Sequence, residues 1–402
     1  MAIDFTSLSV RVSGLFASHF FGVGLFLPFI PVVLGFRGLS AGEIGLVLGI
    51  GTIARIAASP ILSNLSDRTG QRRLSILIYS LAAAAFIALY FLPLGIVFLS
   101  IAVIGYMVMN APVVPLSDAY ALDVQRNTGA DYARMRLWGS AGFVVASVIG
   151  GGLAAEGTSW LLVLAVGLAS LATGLVAMSL PRQRRAAKPS GSGSKDTETS
   201  GGADAGPDEE AGRDTPFRKF WFWPLLGVLG LYQASHSAFY GFGTIYWQAM
   251  KVPDFAIGLL WATGVAAEIA LFTIAGKLSQ RFDPPLFLLA AGAAATLRWL
   301  IFPFADTLVA MAALQLLHGL SFGAAHLGAV AILARIVPSR WAGTGQGLLA
   351  TSIGIQMAIG LSISGVLYEI EPDWPFYLMS LVAAVGTLLT LAMTPMLRQR
   401  MG

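Results

Sequence analysis

The sequence contains no cysteine and little charge, and both shortages limit what the protein can be. Without cysteine the chain has no disulfides, thiolate metal sites or cysteine nucleophiles. Only 11% of the 402 residues are charged, whereas soluble domains carry about 25%. The hydrophobic fraction is 56% and the mean hydropathy is +0.74, which places the chain among integral membrane proteins.

Sequence motifs for enzymatic chemistry are also missing. The chain has no Walker loop and no dinucleotide-binding fingerprint, so ATP-driven pumping has no support. Residues 319–323, GLSFG, fit the G-x-S-x-G motif and follow His318, but that motif needs a strand–turn–helix context. Here it lies inside a long apolar segment. We therefore predict a protein that is not an enzyme, with no cofactor, no metal and no nucleic-acid partner.

Apolar segments of spanning length follow one another along the whole chain. About 20 apolar residues suffice for a helix to cross a hydrocarbon core about 30 Å thick. These segments are residues 11–34, 43–64, 74–92, 96–121, 137–156, 159–180, 221–247, 256–277, 285–304, 307–334, 344–368 and 375–397. We therefore predict an all-α integral membrane protein with twelve transmembrane helices.

Basic residues are distributed unevenly between the two ends of these segments. With the N-terminus in the cytoplasm, 21 of the 25 lysines and arginines fall in cytoplasmic stretches or at their edges. Arg37 and Lys251 fall on the external side of the membrane, and Arg55 and Arg298 fall within spans. The opposite orientation would violate the positive-inside rule. We expect a multi-pass protein of the cytoplasmic (inner) membrane with both termini in the cytoplasm, whose first segment is a retained helix rather than a signal peptide.

The chain divides into two halves that repeat each other. Residues 186–215 are rich in Gly, Ser, Pro and acidic residues, which is typical of a flexible linker. We predict six-helix bundles over residues 1–185 and 216–402. Leu65-Ser66 matches Leu278-Ser279, and Ile44-Gly45 matches Ile257-Gly258 at the same spacing. A shared GL…ASH pattern in the first helix of each half, residues 14–19 and 230–236, supports the repeat.

Several charged side chains lie where the bilayer should be. A charge at the centre of a membrane helix costs about 2.5–3.5 kcal/mol on insertion scales, so such residues usually pair or line a wet cavity. Arg55 and Glu268 occupy equivalent central positions in the two halves, with opposite signs. Arg298 lies in the ninth segment. A guanidinium binds a carboxylate through two parallel hydrogen bonds, so Arg55 and Arg298 are candidate partners for an anionic substrate.

Asp118, near the cytoplasmic end of the fourth segment, has two readings. It contributes to substrate binding, or it forms a structural salt bridge with Arg134 or Arg136 at the start of the fifth segment.

All four histidines fall within predicted spans. His318 and His326 are eight residues apart, which puts them about 80° apart around a helix, on one broad face. Histidine changes its charge near neutral pH, so we predict that Glu268, His318 and His326 carry out proton coupling. His19 and His236 share a repeat position, and we expect them to pack helices together.

The chain resembles the major facilitator superfamily. LSDRTGQRR, residues 65–73, is similar to the loop signature that the superfamily carries between its second and third helices. More narrowly, the chain resembles the phenylpropionate permease group, relatives of the lactose and nucleoside proton symporters. The stretches that carry this likeness are YARMRLWGSAGF (132–143), YWQAMKVPDFAIGLLWATGVAAEI (246–269), LRWL (297–300) and QLLHGLSFGAAH (315–326).

The resemblance implies a fold of two pseudo-symmetric six-helix bundles around a central cavity. It also implies that Asp67, Arg68, Arg72 and Arg73 help to hold one conformational state as a gate. The glycine that usually opens this loop motif is absent, since Ser63 and Asn64 stand nearby.

These patterns together predict a proton-coupled symporter that imports a small organic anion, such as an aromatic carboxylate, by alternating access and works as a monomer. The alternatives are a proton symporter for a neutral sugar or nucleoside, a proton-driven exporter, and a membrane sensor without transport activity.

Overall fold

Long helices form wherever the sequence is continuously apolar. In the computed structural model, residues 7–93, 95–181 and 215–401 are described. The predicted linker, residues 186–215, lies outside them except for Thr215. Within these ranges the α-helices are α1 Leu8–Phe36, α2 Ala41–Thr69, α3 Arg72–Ala88, α4 Ile96–Asn110, α5 Val113–Thr128, α6 Tyr132–Leu153, α7 Ser159–Ser179, α8 Phe222–Ala234, α9 Ser237–Ala249, α10 Asp254–Arg281, α11 Pro284–Ile301, α12 Leu308–His318, α13 Ala325–Ile336, α14 Ala342–Ile370 and α15 Trp374–Met401.

These helices account for all twelve predicted segments, and the all-α fold is confirmed. Eleven helical stretches in the described ranges are long and apolar enough to cross a membrane. The remaining segment is divided into α8 and α9 at Ser235 and His236, whose side chains both contact the Tyr232 carbonyl oxygen. The tenth span continues from α12 to α13 through a π-helix at Gly319–Ala324.

Helix starts follow local capping chemistry. The Ser40 hydroxyl accepts a hydrogen bond from the Glu43 N–H, and the Glu43 carboxylate accepts one from the Ser40 N–H, which forms a capping box. Asp131 caps α6 by accepting from the Ala133 N–H. The chain leaves α2 through Gly70 with a φ of 67°, a left-handed conformation that glycine adopts without steric cost.

Glycines bring the two halves into contact at one end, where α2 and α10 begin and α6 and α14 end. A Cβ atom on Gly45 of α2 would lie 2.6 Å from the Leu361 carbonyl oxygen and 3.0 Å from the Gly365 Cα of α14. A Cβ on Gly151 of α6 would lie 2.5 Å from the Asp254 carbonyl oxygen of α10. Only residues without a side chain permit such close helix packing. We call this the closed end.

The halves diverge toward the other end. In α2 no residue from Ile53 to Leu65 is buried, and in α10 no residue after Gly264 is buried. Beyond these points the side chains of both helices are more exposed, although Ile56 of α2 still packs against Gly354 of α14. The molecule is therefore sealed at the closed end and splayed at the opposite end, which we call the open end.

Candidate functional site

A cavity of about 270 Å³ lies between the two halves where they begin to diverge. α1 and α6 supply one wall, and α9, α10, α12 and the π-helix supply the other. Its lining is dominated by rings, namely Phe20, Phe143, Phe239, Tyr240, Trp261 and Phe322. The charged and titratable lining residues are Arg136, Glu268 and His318. The cavity thus combines aromatic surface with one cation and one carboxylate.

Arg298 lies behind this cavity and is completely buried. Its guanidinium bonds the Gln315 Oε1 atom at 2.5 Å and the His318 Nδ1 atom at 3.0 Å, and a 3.3 Å bond reaches Ser321 Oγ. The ring of Trp299 lies 4.3 Å from the guanidinium carbon. All of these partners are neutral groups, so α11 holds a buried cation that no carboxylate touches within the described residues.

His318 connects Arg298 to Glu268. A guanidinium has donors only, so the His318 Nδ1 atom must accept from Arg298. A neutral His318 then carries its proton on Nε2, which lies 3.9 Å from the Glu268 Oε2 atom. The three side chains form a line from the buried cation to a carboxylate on the cavity wall.

The π-helix and the break between α8 and α9 complete this polar cluster. The π-helix, which contains the GLSFG motif, turns Ser321 toward Arg298, and the Ser321 hydroxyl also contacts the His236 Nε2 atom at 3.2 Å. π-helical turns inside α-helices are frequent at functional sites. His236, for which we expected a packing role, therefore also belongs to the cluster. His19 is buried with its ring edge-on to Phe20 at 5.2 Å.

Arg136 reaches the cavity from the other half. Its guanidinium carbon lies 4.1 Å from the centre of the Phe20 ring, and its Nε atom lies 3.9 Å from Asp118 Oδ1. The Tyr132 hydroxyl donates to the same Asp118 oxygen at 3.0 Å. Arg134 instead pairs with Asp131. Of the two readings for Asp118, the structure shows the contact with Arg136 and places Asp118 outside the cavity lining.

Arg55 and His326 lie apart from this site. Arg55 is exposed on α2 and has no hydrogen bond or ion pair to any described residue. His326 is exposed on α13, with its ring 6.3 Å from that of Phe272. The structure therefore brings together Glu268, His318 and Arg298, but it does not bring Arg55 or His326 to them.

Three of the four residues with a predicted gating role make contacts within their own half. Arg72 pairs with Asp67 at 2.9 Å and with Asp123 at 3.1 Å. Arg73 donates to the Leu180 carbonyl oxygen at 3.0 Å. Arg68 is exposed at the open end. In this conformation these contacts tie α2, α3 and α5 together at the open end.

Three polar residues of the site were missing from the sequence-based prediction. Arg136 was counted among the basic residues at the membrane edge, although it lies four residues into α6 and therefore about 6 Å along the helix. Gln315 and Ser321 are uncharged, so the pattern of charged and titratable residues within the spans did not indicate them. The stretches YARMRLWGSAGF and QLLHGLSFGAAH, which contain all three, were the available signal.

Comparisons with known proteins agree with this architecture. Residues 10–379 match the model of the MFS_1 like family. The chain is 29% identical over 374 residues to the probable 3-phenylpropionic acid transporter of Escherichia coli (strain K12), covering 91% of this chain and 93% of the relative. It is 26% identical over 343 residues to the maltose permease of Geobacillus stearothermophilus, covering 85% and 81%. The crystal structure of the nucleoside transporter NupG superposes with a TM-score of 0.79 at 15% identity, covering 96% of this chain and 99% of that one.

Proposed function

The chain belongs to the MFS_1 like family of membrane transporters, and on that premise we propose that it is a proton-coupled symporter for a small aromatic carboxylate. The observation that carries this proposal is the cavity between the halves, which sets Arg136 among aromatic rings and opposite Glu268. Aromatic walls suit a flat apolar ring, and a guanidinium suits a carboxylate. A volume of about 270 Å³ is just below the usual range for drug-sized ligands, so it suits a small substrate.

Arg136 is the cation that we assign to the substrate carboxylate. Its guanidinium is partly exposed to the cavity, and its contact with Asp118 at 3.9 Å is long enough to leave donors available. Arg298 is sealed behind His318 and Gln315, and Arg55 lies outside the cavity lining. We therefore move the substrate contact from Arg55 and Arg298 to Arg136.

Proton coupling is assigned to Glu268, with His318 and Arg298 supporting it. In general, desolvation favours the neutral form of a carboxylic acid, whereas a nearby cation favours the carboxylate. The His318 Nε2 proton faces Glu268, and Arg298 keeps that proton in place by occupying Nδ1. When a substrate anion reaches Arg136, the balance between the neutral and the charged form of Glu268 changes. Substrate and proton thereby influence each other across one small cavity.

Alternating access follows from the asymmetry between the two ends. The positive-inside distribution assigns the open end to the cytoplasm, so the conformation described here is open inward. Binding from outside requires the closed end to separate and the open end to close around the same cavity. We place the protein in the inner membrane as a monomer with both termini in the cytoplasm.

A neutral sugar is the second candidate substrate, because one relative is named a maltose permease. Rings also stack against sugars, but a sugar needs many hydrogen-bonding partners. Besides its charged residues and His318, the described residues that line the cavity offer side-chain hydrogen bonds only from Ser140, Tyr240, Trp261 and Gln315. The Trp261 N–H already donates to Thr244, and the Gln315 Oε1 atom already accepts from Arg298, so Gln315 offers only its Nε2 donor. The lining therefore favours the carboxylate.

Ligand-induced thermal stabilisation of the purified protein tests the proposal. The test ligands are 3-phenylpropionate, its neutral amide, maltose and a nucleoside. We expect stabilisation by the acid at concentrations where the amide, sugar and nucleoside have little effect. Stabilisation by maltose but not by the acid would overturn the assignment and favour the sugar alternative.

A further inference from the structure

Besides the glycine contacts, a charged side chain joins the two halves at the closed end. The Glu369 carboxylate, on the last turn of α14, accepts a 2.8 Å hydrogen bond from the Gly42 backbone N–H of α2. Gly42 is in the first turn of α2, where backbone N–H groups have no partner inside the helix. The capping box of Ser40 and Glu43 satisfies other donors and leaves this one to the opposite half.

The glycine at position 42 leaves room for this contact. A Cβ atom there would lie 3.1 Å from the Glu369 Oε1 atom, which is tighter than an ordinary contact. Gly42 precedes Gly45 on the same face, and both pack near Gly365 of α14. The carboxylate thus sits at the outer rim of the glycine interface that seals the closed end. Separating α2 from α14 breaks the hydrogen bond.

The repeat provides a natural comparison. Glu156 precedes Glu369 by 213 residues, the same spacing that separates Gly45 from Gly258. Glu156 is exposed, and its side chain has no hydrogen bond or ion pair to any described residue. Among the described residues, the second glycine interface, between α6 and α10, therefore lacks an equivalent charged contact. A neutral side chain crosses the halves there, since Gln248 donates to the Ala154 carbonyl oxygen at 3.1 Å.

We propose that Glu369 is a one-sided electrostatic latch that holds the closed end shut. The N-terminus of a helix carries a partial positive charge that an anion stabilises. Glu369 gives this stabilisation only while α2 and α14 are together, so it favours the conformation described here over one that opens at this end. The inference rests on the proposed alternating access but on no particular substrate.

Cysteine labelling measures the latch, because the chain has no native cysteine. Ala358 is 4% exposed and its carbonyl oxygen faces Gly49 of α2, so a cysteine at 358 should react with a bulky maleimide when the halves separate. In lipid nanodiscs without substrate, Glu369→Ala should raise the labelling rate about two- to fivefold. Glu369→Gln, which keeps an acceptor but loses the charge, should raise it less. Gly42→Ala should also raise the labelling rate, although alanine stabilises a helix better than glycine does.

The controls separate a latch from other effects. Glu156→Gln should leave the rate at position 358 unchanged, and a cysteine at the fully buried Ala83 should stay unreactive in every variant. Unchanged labelling at 358 in the Glu369 and Gly42 variants, an equal rise with Glu156→Gln, or a parallel rise at position 83 would each overturn the latch. Gly258→Trp, which forces the closed end apart, should accelerate labelling strongly. Its failure to do so would contradict alternating access itself.

Discussion

Replacing Arg136 by lysine isolates the proposed contact with the substrate carboxylate. Lysine keeps the positive charge but loses the planar pair of donors that an arginine offers to a carboxylate. A hydrogen bond to a charged group contributes about 1.5–3 kcal/mol, and each 1.4 kcal/mol is a factor of ten in affinity. If lysine retains one of two such bonds, the Kd for 3-phenylpropionate should rise about tenfold or more.

The fold should tolerate this change. Arg136 and Asp118 are each about 30% exposed and their closest atoms are 3.9 Å apart. An ion pair of this kind contributes under about 1 kcal/mol to stability. Arg134 supplies a matched control on the same helix, because it is 88% exposed and pairs only loosely with Asp131 at 3.7 Å.

Isothermal titration calorimetry with the acid and its neutral amide completes the design. Arg136→Lys should weaken binding of the acid and leave any weak binding of the amide unchanged. Arg134→Lys should change neither. Equal weakening for both ligands, or an equal effect of Arg134→Lys, would refute the assignment of Arg136 to the carboxylate.

Three further predictions concern other parts of the molecule. Arg298→Lys should lower gradient-driven transport more than substrate affinity, because Arg298 positions His318 and does not line the cavity. Paired transport and binding assays check this, and an equal loss in both would contradict it. Gly45→Trp should hold the closed end apart and block transport while the protein still folds, which spin-label distances between the halves check; unchanged distances would contradict it. A cysteine at Gly95 should react with an impermeant reagent added outside cells and one at Gly343 should not, and the reverse pattern would invert the orientation.

The spans were predictable because the bilayer imposes them. A membrane of fixed thickness requires long apolar helices. Matching residues in the two halves, such as Gly45 and Gly258, are separated by the same number of positions and indicated the repeat. The local departures were not predictable. The break at Ser235 and His236 and the π-helix at Gly319–Ala324 come together through bonds from Ser321 to His236 and Arg298, which form only when the helices pack.

The site was predictable in its chemistry but only partly in its geometry. Buried charges in an apolar chain identified Glu268, His318 and Arg298, which the structure places side by side. Successive side chains of an α-helix point about 100° apart, so the face that a charge occupies depends on its exact position. The sequence therefore could not tell that Arg298 lies behind the cavity or that Arg55 lies outside its lining.

Transport by the Glu268→Gln variant tests the central claim most directly. In proteoliposomes with an imposed pH gradient, wild-type protein should accumulate 3-phenylpropionate against its concentration gradient. Glutamine has nearly the shape of a protonated glutamate but cannot release a proton. The variant should therefore lose gradient-driven accumulation while exchanging labelled for unlabelled substrate in the same vesicles. Accumulation that survives in the variant would contradict proton coupling through Glu268, and loss of both activities would indicate a structural role instead.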